Sequence, residues 1–133
     1  MLTLKQAQAA IAAGQAHAAD LGVPVNIAVL DAAAHLQAFG RMDEAVLGSI
    51  DVALGKARTS ALFGITSEAV WDYCKPGAPA PGLERSNGGL MPFPGGAPLR
   101  DLLGRLLGAV GVSGGSPDQD AEIARIAAET LNG

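Results

Sequence analysis

Apolar residues recur along the chain with two different periods, and the changes of period divide it into elements. Leu4, Ala7, Ile11, Gly14, Ala18 and Leu21 keep the three-to-four spacing of a helix and predict one over residues 3–21. Thr3 suits its N-cap, Gln6 follows three places on as in a capping box, and Gly22 stops it. VPVNIAVLD (23–31) then alternates, placing Val23, Val25, Ile27 and Val29 on one face of a strand. HLQAFGRMD (35–43) reads as a second strand, and the short DAAA between the two predicts an antiparallel hairpin. Helical spacing returns over 45–63, where the core-facing Ala45, Ser49, Ala53, Ala57 and Ala61 are all small, and over a short helix at 67–74 that carries the only Trp and Tyr.

Residues 75–89 break both periods, with Pro76, Pro79 and Pro81 among glycines and polar residues. A loop this long in a small domain is expected either to work at a site, with Glu84, Arg85, Ser86 and Asn87 at its rim, or to pack on a neighbour. Strands are expected around Gly89–Met91, around Ala97–Arg100 and over 105–114, before a last helix at 117–131. The order α-β-β-α-α-β-β-β-α groups hairpin strands apart from helices, which predicts an α+β fold with an antiparallel sheet rather than a parallel, alternating one.

Composition narrows the function classes. A chain of 133 residues accommodates one domain, residues 1–133. Aromatic residues are 4% and small ones abound, so elements can approach closely and part of the apolar surface is expected between subunits. The net charge of −4, with no basic run, argues against nucleic-acid binding. No apolar run reaches membrane-spanning length and the N-terminus lacks a secretory pattern, so a cytoplasmic protein without a membrane span is expected. Cys74 is the single cysteine, which excludes an internal disulfide and gives no metal-ligand spacing.

GAVGVSGGSPDQD (108–120) has the strand, glycine turn and helix order of a phosphate loop. Its glycines, at 108, 111, 114 and 115, do not keep the G-x-G-x-x-G spacing, and no G-K-[S/T] follows. Ser116 as N-cap, Pro117 in the first turn and Gln119 completing a capping box explain it as a strand-to-helix joint. Asp118 and Asp120 favour the helix dipole and repel a phosphate. Gly108 and Gly111 leave room for a close backbone neighbour.

Two histidines are present. His17 lies at the flank of the first helix's apolar stripe, a partly exposed place where it is either an ordinary boundary residue or one that faces a partner subunit. His35, Gln37, Phe39 and Arg41 fall on one face of the second strand by alternation. There Arg41 would anchor a carboxylate and His35 act as acid or base, unless the face is a solvated one with Arg41 paired to Asp43 or Glu44. Lys56 and Thr59 share a helix side, and Lys56 beside a Gly95–Gly96 turn would make an anion site with exposed backbone N–H groups; the plainer alternative is a surface lysine. Met42 is expected to pack in the core.

Four stretches together, IAVLDAAAHLQAFGRMDEA (27–45), ALGKARTSALF (53–63), FPGGAPLR (93–100) and GAVGVSGGSPDQDAEIA (108–124), resemble the GlcG/HbpS family of haem-degrading domains, which includes the C-terminal domain of PduO cobalamin enzymes. The resemblance implies a profilin-like sandwich with a five-stranded antiparallel sheet flanked by helices. It implies homo-oligomers, often octamers built from dimers, and haem binding in some members. A first-helix histidine ligates haem in some relatives, and His17 is the matching position. The expected function is a haem- or tetrapyrrole-binding protein in sensing, trafficking or protection, with His17 as iron ligand and Lys56, Gly95 and Gly96 in the cofactor site. The alternative is an enzyme or metabolite-binding protein of a catabolic operon that takes a small organic carboxylate through His35, Arg41 and Lys56. Whether the chain catalyses anything stays open at this point. One departure stands out: where the family has D..G before the histidine, this chain has Asp31-Ala-Ala-Ala34-His35.

Overall fold

A computed structural model describes residues 1–131. Its elements are α1 (Leu4–Leu21), β1 (Asn26–Asp31), β2 (Leu36–Arg41), α2 (Gly48–Phe63), α3 (Ser67–Cys74), a 3-10 turn at Leu83–Arg85, β3 (Gly96–Arg100), β4 (Leu106–Ser113) and α4 (Pro117–Glu129). The strands form one antiparallel sheet in the order β2-β1-β4-β3. Both capping boxes form, Thr3 with Gln6 on α1 and Ser116 with Gln119 on α4.

The α+β class holds, but the expected five-stranded sheet is corrected to four strands among the described residues. The strand expected around Gly89–Met91 does not form, because its backbone donors are committed elsewhere. Leu90 N–H donates to the Glu84 carbonyl and Met91 N–H to Thr59 Oγ1, so the segment is stitched to its own loop and to α2. Gly88 and Gly89, both left-handed, turn the chain away from an extended path.

The two central strands are covered on both faces. Ile27 and Val29 of β1 and Val25 just before it, with Val110 and Val112 of β4 and Leu99 of β3, pack against Ile11, Ala18, Ile123 and Ala127 of α1 and α4. On the other face Ala28 and Leu30 meet Ala53 and Ala57 of α2, with α3 beside it. The small residues of α2 bring its backbone onto the sheet. Gly96 and Gly111 are partners in register, and a Cβ on either would collide with the α2 backbone, at Lys56 and Ala53 respectively. Gly111 therefore does admit the close neighbour that its place in a strand suggested, and Gly108 lies likewise against the Leu30 carbonyl of β1.

Candidate functional site

The residues singled out from the sequence fall in three separate places. The first is a buried polar cluster. Lys56, 4% exposed, donates from Nζ to the Val112 carbonyl at 2.9 Å and to Asp120 Oδ2 at 3.0 Å. Asp120 Oδ1 accepts from Gly115 N–H at 2.9 Å. The pair thus joins α2 and α4, which lie on opposite faces of the sheet, around the end of β4. Gly95 makes room for it, since a Cβ there would sit 2.8 Å from the Lys56 ammonium. Gly96 N–H donates to Ser67 Oγ at 2.8 Å, and Ser67 in turn donates to the Phe93 carbonyl. The stretches ALGKARTSALF, FPGGAPLR and GAVGVSGGSPDQDAEIA therefore meet at one point, and the ammonium expected to face an anion faces a carboxylate of the chain instead.

The second place is a cleft of about 500 Å³ between α4 and the edge strand β3, reached by the start of α3. Gly95, Gly96 and Ala97 form one wall; Ala121, Ala124 and Ala128 of α4 form the other. Glu122 and Arg125 stand at its rim, Arg125 held by Glu129 at 2.6 Å. His17 approaches from α1, with Nε2 2.8 Å from Glu122 Oε2 and its side chain 27% exposed. Gly95 and Gly96 thus line this concavity with Lys56 as the support behind them, whereas His17 does not line it and meets it only through Glu122.

The third place is β2, where the structure does not assemble the expected pair. A bulge between the pairs Leu30–Leu36 and Val29–Ala38 leaves Gln37 without a partner and breaks the alternation. Leu36, Phe39 and Arg41 consequently share a face with Leu30, Ala28 and Asn26, and His35 belongs to the turn before the strand. His35 is 80% exposed, 3.7 Å from Asp31, while Arg41 is at the other end of β2, roughly 20 Å of extended chain away. Met42 is partly buried against the core and its sulfur accepts from Val25 N–H at 3.4 Å, as a packing residue. Burial pushes the Cys74 thiol up, with the nearby Glu84 adding to the effect, so it is held in its neutral form. Among the described residues no group of three or more His, Cys, Asp or Glu is placed to hold a metal ion.

Two residues of these sites escaped the sequence. Asp120 reads locally as a helix-dipole carboxylate; only its place within the stretch GAVGVSGGSPDQDAEIA marked it. Glu122 carried no signal, because its partner His17 is 105 residues away.

The chain is similar to known proteins over nearly its whole length. Residues 2–129 match the family model described as haem degrading protein HbpS-like. The corrinoid adenosyltransferase PduO of Salmonella typhimurium is 38% identical over 117 residues, which is 86% of this chain but 34% of that protein, so the chain spans about a third of its length. The solved PduOC:heme complex superposes with a TM-score of 0.90 at 34% identity, covering 98% of this chain and 95% of that one. A double mutant of Streptomyces reticuli HbpS gives 0.87 at 31% identity, covering 98% and 86%.

Proposed function

The chain belongs to the HbpS-like family, and on that premise we propose that it is a haem-binding protein of that type, in which His17, beside Glu122 at the rim of the cleft between α4 and β3, would hold the iron. The observation that carries the reading is the His17–Glu122 bond. Metal-ligating histidines commonly donate their second ring N–H to a carboxylate, which fixes the tautomer and raises the basicity of the other nitrogen. With Nε2 donating to Glu122, His17 keeps a lone pair on Nδ1, on a ring that reaches solvent. Gly95, Gly96 and Ala97 leave the β3 wall with little side-chain bulk, and Ala121, Ala124 and Ala128 line the facing wall together with Glu122, Arg125 and Glu129. Lys56, tied to Asp120 and Val112, holds that wall in place rather than presenting its charge to the ligand.

Bound there, haem would supply a redox-active iron and a reporter absorbance, with His17 holding it and Glu122 orienting the imidazole. A sensing, trafficking or protective role in the cytoplasm is the setting we propose, as an assembly of several copies. No helix of the described residues is long and apolar enough to cross a membrane. Haem titration followed at the Soret band tests the reading. The wild type should give a saturable red shift that His17→Ala loses, and Glu122→Gln should weaken affinity about ten- to a hundredfold. A wild type without a shift, or a His17→Ala variant with an unchanged one, overturns it.

A further inference from the structure

A second concavity lies on the opposite face of the sheet, against α2. Asp51, Leu54, Gly55 and Arg58 form one stripe along that helix, at i, i+3, i+4 and i+7, and the stripe is one wall of a groove of about 400 Å³. The facing wall is apolar, made by Leu36 of β2 with Leu90 and Met91 of the long loop. That loop is fixed there by the bond from Met91 N–H to Thr59 Oγ1 at 2.9 Å and by the left-handed Gly88–Gly89 pair. The groove is therefore built by the segment that was expected to be a strand.

Arg58 is the anomaly in it. Of the nine lysines and arginines, Lys56, Lys75, Arg100, Arg105 and Arg125 each donate to a carbonyl or carboxylate. Among the described residues the side chains of Lys5, Arg41, Arg58 and Arg85 have no such partner; the other three are exposed, and Arg58 alone is half-buried. Arg100, equally half-buried, shows the usual solution, with its guanidinium held by the Gly64 and Gly104 carbonyls. The half-buried stem fixes the Arg58 guanidinium at the groove while its nitrogens stay open to a ligand, and a bidentate carboxylate is the group that best matches their fork. Asp51 does not serve, being seven residues and about 10 Å along the helix.

We propose that this groove binds a carboxylate attached to a small apolar body, with Arg58 as the bidentate anchor and Leu36, Leu54, Leu90 and Met91 around the apolar part. The carboxylate has two sources with the same chemistry, a free monocarboxylic acid or the propionate edge of a haem held by a neighbouring copy of the chain. Neither the groove nor its anchor depends on the His17 cleft, which lies on the α4 side of the sheet.

Hexanoate and benzoate, with hexanamide as the uncharged control, are titrated into the full chain while backbone amide signals are followed. Saturable shifts are expected at Gly55, Gly88, Gly89 and Met91 with the acids and not with the amide. Arg58→Met should weaken hexanoate binding about tenfold or more, and Arg58→Lys, which keeps the charge without the fork, by less. The same variants are then titrated with haem. Weakened hexanoate binding with unchanged haem affinity assigns the groove to free acids, and a parallel loss of haem affinity assigns it to propionates. Absence of shifts at the groove with the acids, or shifts indifferent to Arg58, overturns the proposal, and that result leaves the His17→Ala test of haem binding unaffected.

Discussion

Lys56 and Asp120 are each at most 5% exposed and answer one another, so neither charge can be removed alone without stranding the other. Asp120→Leu or Lys56→Met should each cost about 3–5 kcal/mol in urea unfolding, whereas the two combined should recover most of that loss, since a buried ion pair gains little over an apolar pair of similar size. Full additivity of the two single losses would show that the charges are not coupled. The sequence displayed both residues in conspicuous surroundings but could not join them, since 64 positions separate them and each has a satisfactory local reading, a helical lysine and a first-turn aspartate. Asp101 is legible in the same limited way. Its Oδ1 accepts from Leu103 and Arg105 N–H and its Oδ2 from Arg105 Nε at 2.7 Å, and those bonds hold its carboxyl below the ordinary value of 3.8. A carboxylate with a depressed folded pKa stabilises fully above the unfolded value and loses its contribution as pH falls through the folded one. Amide exchange at Leu103 and Arg105 should therefore quicken below about pH 4 relative to the intrinsic rate, and Asp101→Asn should abolish that dependence.

The two hairpin loops are built alike, and the likeness explains the one departure from the family pattern. Asp31 Oδ1 accepts from Ala33 and His35 N–H, as Asp101 Oδ1 does from Leu103 and Arg105. The fourth residue is left-handed in both, Gly104 at φ 80° and Ala34 at φ 65°. Alanine bears about 1–2 kcal/mol of strain there, partly offset by the greater freedom glycine has in the unfolded chain. Ala34→Gly is thus expected to stabilise by roughly 0.5–1 kcal/mol. Gly104→Ala should destabilise by about 1 kcal/mol, because a Cβ at 104 meets nothing within 4 Å and only the backbone is strained. Thermal unfolding of the two variants checks both signs. Elements whose apolar period was long, α1, β1, β4 and α4, were legible to within a few residues. The three-residue strand around Gly89–Met91 had no period to support it, and the bulge at Gln37, which moved His35 off the Arg41 face, leaves no mark in composition.

Both faces of the sheet are covered within one chain, so apolar residues left outside are not unfinished core. Leu102 and Leu103, at the tip of the β3–β4 loop, are 81% and 78% exposed, and Val46 and Leu47, just before α2, are 63% and 66%. The Asp101 side chain already satisfies the tip's backbone donors, so its turn does not require leucines. Paired large apolar side chains on a tip are tolerated in water but stabilise only when covered. With 4% aromatic residues and an alanine-rich interior, the chain also has few large side chains to spare for the surface. We expect a second copy to cover these positions, in keeping with the assembly proposed above. Light scattering should give a mass that is a multiple of 13.3 kDa. Leu102→Lys with Leu103→Lys should lower that mass while the far-ultraviolet circular dichroism stays unchanged. If the wild type is monomeric at micromolar concentration, or the double variant keeps its mass, the β3–β4 tip is not the contact between copies.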